Sequence, residues 1–350
     1  MLLAFSFVLF QFANATVWRV NNRPNVNADF TTLQAAIDSA SDGDTLYIEA
    51  SETSYGNGTF AKKLVVIGAG YWLNENDTTQ AYKEESQTGM LTFNDGSQGS
   101  VVIGLFVYVQ SAYNPHTFNI NTDSINIERN LIHLYEDRND PYYTGTAISI
   151  SNNRSNINIK QNWIYSHRNG NYTTYAVYIS GILSNSKINN NFIRATQQGR
   201  AIYMSTNSTA TELVITNNVF WGNITTYYTI QNNNILVAGN YNNGLGDLTS
   251  HNLCNETQYP AVNSNLQNVD METVFVDWDL YVDNGYILAS GSPAIGAGLN
   301  GGDCGAFSND SGDDPYVLSG MPPIPSVFEA TVTTVGVSSL PVNIKASSHN

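Results

Sequence analysis

The sequence is poor in charged side chains, and most of the few that it has are acidic. Lys and Arg total 14 and Asp and Glu total 29, so charged residues make up 12% of the chain and the formal net charge is −15. Binding to a nucleic acid or to an anionic membrane surface needs a basic patch, because phosphates must be neutralised. We therefore expect no nucleic-acid partner. Apolar residues reach 42%, so the chain also lacks the composition of a disordered protein.

Cysteine is nearly absent, with Cys254 and Cys304 alone among the 350 residues. Two cysteines form at most one disulfide bond, which excludes a small fold that is held together by disulfide bonds. The sequence leaves two alternatives open: the two residues form one bond, or they are two separately buried thiols.

Long apolar runs are missing except at the beginning of the chain. No later stretch reaches the ~18 apolar residues that a membrane-spanning helix needs, so we expect no transmembrane segment. Residues Leu2–Phe12 are apolar and are followed by Ala13-Asn14-Ala15, which is the pattern of a signal-peptide cleavage site. We therefore predict a signal peptide over residues 1–15, a mature chain that begins at Thr16, and a secreted protein that is extracellular or on the cell surface.

Asparagine is abundant, with 46 copies, and it marks an internal repeat. Four segments share alternating apolar residues, then Asn, then two further large apolar residues, and a fifth segment is a shortened copy: Ile125–Ile132, Ile157–Ile164, Lys187–Ile193, Leu213–Phe220 and Ile235–Asn240. A second kind of alternating segment lies between the copies: Phe118–Ile120, Ala147–Ile150, Ala176–Ile179, Ala201–Met204 and Thr229–Ile230. Alternation of apolar residues predicts half-buried β-strands in all of them.

The spacing of the repeat predicts a parallel β-solenoid. Successive copies lie 32, 29, 27 and 22 residues apart, and one such unit cannot bury its apolar face alone, so neighbouring units must stack. The recurring Asn then falls at one corner of successive coils, where its amide hydrogen-bonds along the stack and its backbone tolerates the left-handed conformation of a sharp corner. The predicted ladder, which is structural and not catalytic, consists of Asn130, Asn162, Asn191, Asn218 and Asn240.

This pattern resembles the right-handed parallel β-helix proteins of the pectate-lyase-like superfamily, in their secreted bacterial form. Asp29–Ala40 followed by Asp42–Ile48 is similar to the N-terminal cap of that family, with Thr31 or Thr32 capping a short helix. Lys63–Tyr71 resembles the first full coil. The resemblance implies an all-β fold, a right-handed parallel β-helix of about eight to ten coils with an N-terminal helix cap.

The resemblance also suggests how the chain is divided. Ser290–Gly298 with Gly302–Phe307 is similar to the segment that closes the last coils of such proteins. We predict a signal peptide over 1–15, an N-terminal cap over 16–60, a parallel β-helix with its closing segment over 61–307, and a turn-rich tail over 308–350. The alternating Val, Thr and Ser residues near the end of the tail are compatible with an added pair of strands.

The catalytic motifs of the superfamily's enzymes are missing from the sequence. Of the pectin-hydrolase-like pattern only Asn121-Thr122-Asp123 is present, which we interpret as coincidence in so Asn-rich a chain. No predicted strand carries the pair of outward aspartates that resembles a calcium-dependent lyase. We therefore expect no metal site and no cofactor, and calcium is not indicated.

A column of aromatic and basic residues follows the ladder three positions after successive asparagines. It consists of His133, Tyr165, Arg194 and Trp221, and we call it the aromatic–basic strip. Three coil steps of about 4.8 Å give it a length of about 14 Å. Ring faces suit the C–H surfaces of sugars, and a guanidinium suits carboxylates or hydroxyls, so we predict a polysaccharide-binding surface. The alternative interpretation is four unrelated surface residues.

Charged residues also collect in the loops that are predicted to follow these strands. Because the loops begin a few residues after the ladder, they should emerge stacked from one side, where solenoids usually carry function. We predict that the first of these loops adds further glycan contacts through Glu136, Asp137, Arg138 and Asp140, and that the next loop carries His167 and Arg168.

Three functional hypotheses follow. The leading one is a secreted or surface β-helix protein that binds a polysaccharide or cell-surface glycan on one lateral face. The second is an enzyme, either a glycoside hydrolase or a polysaccharide lyase in which Arg168 or Arg194 neutralises a uronate and His133, His167 or Tyr165 is the base. The third is a structural stalk or adhesin. The sequence leaves open whether the protein is an enzyme, because no nucleophile or oxyanion device is visible.

Overall fold

The computed structural model describes most of the chain. The described residues are 15–76, 78–111, 115–136, 144–168, 173–196, 199–205, 210–242, 244–278, 282–309, 312, 314–332 and 341–348. The predicted signal peptide, apart from Ala15, and the predicted contact residues Asp137, Arg138 and Asp140 lie outside them.

Three parallel sheets form the body of the protein. The strands of the first sheet are Val17–Val20, Thr45–Ile48, Val65–Ile67, Val101–Ile103, Asn126–Glu128, Asn158–Lys160, Leu183–Asn189, Ala210–Thr216, Thr229–Asn232 and Leu248–Ser250, with Arg154–Ser155 beside Leu183–Asn189. Those of the second sheet are Gln87–Thr88, Phe106–Ser111, Leu131–Glu136, Trp163–Arg168, Phe192–Ala195, Val219–Trp221, Ile235–Ala238 and Leu253–Cys254. Those of the third sheet are Gly58–Phe60, Leu91–Phe93, His116–Ile120, Thr146–Ser151, Tyr175–Ser180, Arg200–Met204, Asn223–Thr225 and Tyr241–Asn242.

The chain visits the three sheets in turn, so the fold is an all-β parallel β-helix. Each strand pairs in parallel with the equivalent strand of the next coil. The four full ladder segments bend at their Asn into one strand of the first sheet and one of the second, whereas the shortened copy Ile235–Asn240 contains a strand of the second sheet alone. Thr229–Ile230, which we grouped with the strands between the copies, instead belongs to the first sheet.

Rows of identical or similar apolar side chains fill the interior of the helix. In the first sheet Ile127, Ile159 and Ile188 occupy equivalent positions of successive coils and are all buried. In the third sheet the ring of Phe93 stacks on that of Phe60, with 4.6 Å between the ring centroids. β-Branched and aromatic side chains suit such rows because they pack well on a pleated surface, which is why the alternating pattern predicted the strands correctly.

One α-helix, Leu33–Ser39, covers the N-terminal end of this interior, as predicted. Thr32 is its N-cap and accepts a hydrogen bond from the N–H of Ala35 at 3.4 Å, and Leu33, Ala36 and Ile37 are buried. Single 3₁₀ turns occur at Met271–Thr273, Asp283–Tyr286, Leu299–Gly301 and Leu318–Gly320. Among the described residues, no helix has the length and apolar character needed to cross a membrane.

The predicted asparagine ladder lies at the corner between the first and second sheets. The amide oxygen of every member after Asn130 accepts the backbone N–H of the ladder Asn one coil earlier, as Asn191 Oδ1 does from Asn162 at 2.9 Å, and Asn130 Oδ1 accepts the N–H of Leu105 at 3.0 Å. The ladder extends beyond the predicted coils and contains Asn130, Asn162, Asn191, Asn218, Asn234, Asn252 and Asn265. Because these side chains are buried, their amides satisfy backbone groups that water cannot reach.

Two details of the predicted ladder were wrong. Its fifth member is Asn234 and not Asn240, because this coil is only 16 residues long, and the exposed Asn240 instead donates its N–H to Asn223. The left-handed backbone conformation belongs to the residue before each ladder Asn, with φ between 53° and 58° at Arg129, Gln161, Asn190, Asn217 and Asn233. This turn leaves the ladder amide pointing along the stack while the preceding side chain points away from it.

The side chains before the ladder hold a C-terminal strap, which we define as residues 282–309, 312 and 314–321. From Leu299 to Met321 the strap runs back from the last coils towards the first. At the beginning of this stretch the Asn233 Oδ1 atom accepts the N–H of Leu299 at 2.8 Å. Further along, Gln161 Nε2 donates to the carbonyl of Pro315 at 2.7 Å and Arg129 Nη1 donates to that of Met321 at 3.1 Å.

The strap covers a second apolar cluster outside the β-helix. The second-sheet residues that immediately follow the ladder point outward, and they are buried against strap side chains such as Tyr286 and Tyr316. These second-sheet residues are Leu131, Trp163, Phe192, Val219, Ile235 and Leu253. The predicted closing segment is part of this strap.

The last described residues form an antiparallel pair of strands, Ser326–Val332 and Val342–Ser347, compatible with the interpretation of the tail. Both cysteines are buried and form no disulfide bond. The Cys304 thiol donates to the carbonyl of His251 at 3.1 Å, and burial raises the pKa of the Cys254 thiol. Of the two alternatives that the sequence left open, the structure contains two separate thiols.

Candidate functional site

The four residues of the aromatic–basic strip face one another across successive strands of the second sheet. His133 pairs with Tyr165, Tyr165 with Arg194, and Arg194 with Trp221. Tyr108 extends the column by one coil, because it pairs with His133. The repeat spacing therefore predicted the juxtaposition correctly, and it missed only Tyr108.

Close ring contacts hold the strip together. The centroids of the His133 and Tyr165 rings lie 4.9 Å apart. The guanidinium carbon of Arg194 lies 5.6 Å from the ring centroid of Tyr165 and 5.9 Å from that of Trp221. These distances permit cation–π attraction on both sides, so Arg194 is positioned between two aromatic rings.

Trp221 offers little surface to a ligand. Its side chain is only 8% exposed, because Tyr286 of the strap packs edge-on against it at 4.8 Å between the centroids. The predicted glycan contact through an open indole face does not fit this burial. Trp221 instead packs beside the guanidinium of Arg194.

Glu136 and Arg168 lie at strand ends and point into the β-helix, whereas we predicted them on surface loops. They pair with each other across adjacent strands of the second sheet, with 3.6 Å between Arg168 Nη1 and Glu136 Oε2. The side chain of Arg168 is 2% exposed and that of Glu136 is 0% exposed. The Glu136 carboxylate also accepts the N–H of Gly145 at 3.1 Å. The pair therefore stabilises the interior of the β-helix, and Glu136 is not accessible to a glycan.

His167 lies on the outer face beside the strip. Its ring stacks on that of Tyr135 at 4.9 Å with 3° between the ring planes, and its Nδ1 atom forms a hydrogen bond of 2.9 Å with the hydroxyl of Tyr165. The second-sheet strand thus brings His167 and Tyr165 together, two of the three residues that we proposed as a lyase base.

His133, the third of these residues, is a neutral imidazole at neutral pH. Burial, together with the nearby His167, lowers the pKa of His133 from 6.5 to about 4. Its buried Nε2 atom has no hydrogen-bond partner within the described part of the chain. The pKa of this imidazole lies below the range that suits a general base at neutral pH.

Two pockets flank Arg194 and follow the strip. The first, which we call the tryptophan pocket, has a volume of about 320 Å³ and is lined by Trp72, Glu85, Phe106, Leu131, His133, Trp163, Tyr165 and Arg194. The second, the arginine pocket, has a volume of about 400 Å³ and is lined by His167, Arg168, Arg194, Ala195, Thr196, Trp221, Gly222, Ala238 and Gly239. Because Arg194 lines both, the two pockets adjoin along the second sheet, and we call them together the groove.

Trp72 and Glu85 are among the residues of the tryptophan pocket that we did not predict as site residues. They belong to a connection between a strand of the first sheet, Val65–Ile67, and one of the second, Gln87–Thr88. This connection is long and has no alternating apolar residues, so the sequence did not predict where its side chains lie. The charged run Lys83-Glu84-Glu85 is the same kind of signal that we used for the later loops, and it would have drawn attention here.

A separate pocket of about 430 Å³ lies on the third sheet. It is lined by His116, Thr144, Thr146, Ser149, Ser151, Tyr175 and Tyr178. Tyr178 pairs with Tyr203 on the next strand, and the guanidinium of Arg200 lies 4.0 Å from the Tyr203 ring centroid. This surface provides matched aromatic positions with which the strip can be compared.

The described residues contain no group of three or more His, Cys, Asp or Glu side chains that is arranged to hold a metal ion. Sequence comparisons found neither a family model that matches this chain nor a curated protein similar to it.

Proposed function

We propose that the protein binds polysaccharide in the groove that the tryptophan and arginine pockets form along the second sheet. The observation that carries this proposal is the stacking of His133, Tyr165 and Arg194 in register as one wall of that groove. Aromatic rings provide platforms for sugar C–H surfaces, and the imidazole and guanidinium provide hydrogen bonds for hydroxyls. The groove runs along the coil axis, as an extended glycan requires.

We infer further that the chain is a distant member of the pectate-lyase-like superfamily and that it is secreted or displayed on the cell surface. The β-helix, its helix cap and the asparagine ladder support the first inference. The apolar segment before Ala15 supports the second.

The enzyme and stalk alternatives have less support. A lyase needs a base near neutral pH, and the low pKa of His133 does not suit that role. Arg168 is paired with Glu136 and almost fully buried, which leaves Arg194 as the candidate to neutralise a uronate. A plain stalk gives no reason for a groove with aligned aromatic and basic side chains.

Affinity electrophoresis of residues 16–350 in gels that contain neutral or acidic polysaccharides tests the proposal. Retarded migration in at least one gel is expected. Tyr165→Ala should weaken binding about tenfold, which corresponds to about 1.4 kcal/mol, and Tyr178→Ala on the third sheet is the matched control. Equal retardation of both variants, or no retardation of the wild-type protein in any gel, would contradict the proposal.

The same samples distinguish binding from catalysis. Ultraviolet absorbance reports unsaturated uronates, and a reducing-end assay reports hydrolysis, each with and without calcium. The binding proposal expects neither signal. New double bonds would establish a lyase, and silence in the gels and in both assays would leave the stalk.

A further inference from the structure

Trp72 lies where the tryptophan pocket meets a fourth pocket, which we call the glutamate pocket. This glutamate pocket has a volume of about 250 Å³, and its lining includes Trp72, Glu85 and Gln87. Trp72 and Glu85 also line the tryptophan pocket. The groove of the proposed glycan site therefore continues past Trp72 towards the first coils.

The backbone of Trp72 is held in an unusual conformation. Its φ of 47° lies in the left-handed region, which bulky residues rarely occupy and which the surrounding structure must enforce. The N–H of Trp72 donates to Glu85 Oε1 at 2.8 Å, and its carbonyl accepts from Ser319 Oγ of the strap at 3.1 Å. Its indole packs edge-on against Trp163, 4.9 Å between ring centroids. Such backbone strain is typical of functional sites.

This pair of side chains has the chemistry of a sugar subsite. The indole is a rigid apolar platform, and a carboxylate oxygen has two lone pairs, so Glu85 can accept a sugar hydroxyl while it holds the Trp72 N–H. Gln87 adds an amide that both donates and accepts. All three residues are partly exposed, so a ligand in the groove reaches them.

The negative charge at this end of the groove restricts which class of glycan can bind there. The glutamate pocket is lined by Glu52, Glu75, Glu84 and Glu85, against which Lys83 is the one basic residue of the lining, and the chain carries a net charge of −15. Like charges repel strongly when they are closer than the screening length of about 8 Å at physiological salt. A polyuronate would place a carboxylate on every sugar beside these glutamates, whereas a neutral glycan would not.

We propose that Trp72 and Glu85 form an additional subsite for a linear neutral glycan that lies along the coil axis. The inference rests on the proposed function of the groove and deepens it by naming the ligand class. From the strand of Gln87 to that of Trp221 there are five steps along the second sheet, or about 24 Å. One pyranose advances an extended glycan by a distance similar to one coil, so the full groove holds about six sugars and the strip alone about four.

Calorimetric titration of residues 16–350 with oligosaccharides of three and six units tests this subsite. The probes are linear oligomers of glucose, xylose and mannose, with galacturonate oligomers of the same lengths. At least one neutral hexamer should bind about tenfold more tightly than its trimer. Trp72→Ala should lower the hexamer-to-trimer affinity ratio from about ten to near one, and Trp72→Phe, which keeps an aromatic ring, should retain part of this gain and shows that the fold is intact.

Glu85→Gln gives a second test that loss of folding cannot imitate, because it predicts a gain. The glutamine carbonyl still accepts the Trp72 N–H, and the repelling charge is gone. The galacturonate hexamer should therefore bind several times more tightly to Glu85→Gln than to the wild-type protein, and the ratio of its affinity to that of the neutral hexamers should rise.

The failure of this inference is distinguishable from that of the proposed function. If trimers bind and Tyr165→Ala weakens them, but hexamers gain nothing or Trp72→Ala keeps the gain, the groove binds glycan and the additional subsite is wrong. A galacturonate hexamer that binds the wild-type protein more tightly than every neutral hexamer overturns the ligand class. If no oligomer binds at all, both proposals are wrong.

Discussion

Replacing one rung of the asparagine ladder should destabilise the protein far more than replacing a nearby surface asparagine. Asn191 lies in the middle of the ladder and is fully buried. Its Nδ2 atom donates to the carbonyls of Ile159 and Asn189 at 2.8 and 2.9 Å. Its Oδ1 atom accepts the N–H of Asn162 at 2.9 Å. Asn191→Ala removes all of these bonds at once.

The size of the effect follows from the groups that lose their partners. A buried polar group without a partner costs about 1–3 kcal/mol. The Asn162 N–H bears this cost in full, whereas the Asn189 carbonyl keeps a second bond from the Gln161 N–H at 3.1 Å and bears less. With the Ile159 carbonyl included, the free energy of unfolding should fall by about 3 kcal/mol or more.

Asn240→Ala is the matched control. The sequence pattern places Asn240 in the same ladder, but this residue is exposed and its hydrogen bonds to Asn223 and Ile224 are made by its backbone N–H and carbonyl, which alanine keeps. This variant should change the free energy of unfolding by less than about 0.5 kcal/mol. Urea unfolding followed by circular dichroism gives both free energies of unfolding. The comparison requires that the free energy of unfolding depends on urea concentration with the same slope in both variants. Equal effects of the two substitutions, or a loss below about 1 kcal/mol in Asn191→Ala, would refute the ladder as described.

Three further predictions concern buried titratable groups. Arg168→Met should lower the free energy of unfolding by about 3–5 kcal/mol, because it leaves the Glu136 carboxylate buried without its partner. The pKa of His133 is lowered from 6.5 to about 4, so the folded protein favours the neutral ring. The free energy of unfolding should therefore fall as the pH drops from 6.5 towards 4. In His133→Phe this part of the fall should disappear from urea unfolding curves that are measured at a series of pH values. Cys254 and Cys304 should react with a thiol reagent only after unfolding, because both are buried thiols.

Each of these predictions has an outcome that contradicts it. Lys160→Met breaks a pair with Glu128 in which the lysine side chain is 33% exposed, so it should cost less than about 1 kcal/mol, and a cost as large as that of Arg168→Met would refute the distinction between the pairs. An unchanged pH profile in His133→Phe would mean that the ring is solvated. Absence of two reactive thiols in the unfolded, unreduced protein would indicate a disulfide bond.

The repeat allowed the strip to be predicted because parallel stacking leaves little freedom of register. Once Asn162 and Asn191 are aligned at one corner, every residue at a fixed distance from them is aligned as well, and Tyr165 must face Arg194. The inward direction of Glu136 was also predictable, since counting in twos from the buried Ile132 places it inside. We instead assumed that the strand ends where the charges begin.

The strap and the Trp72 wall could not be predicted in the same way. The strap follows no repeat, and Gln161 and Arg129 bind its backbone carbonyls, which every sequence offers. The burial of Trp221 depends on Tyr286, which is 65 residues away in the sequence and has no pattern in common with it. Non-repeating segments therefore decide which part of a predictable column remains open to a ligand.

The most direct test of glycan binding in the groove is hydroxyl-radical footprinting of the protein with and without the polysaccharide that retards it in gels. Rates of side-chain oxidation are read by mass spectrometry. Binding in the groove predicts that the ligand slows oxidation of Tyr165 and Trp72, whereas Tyr178 and Tyr203 on the third sheet oxidise at unchanged rates. Protection of the third-sheet tyrosines with no change at Tyr165 and Trp72 would contradict the account.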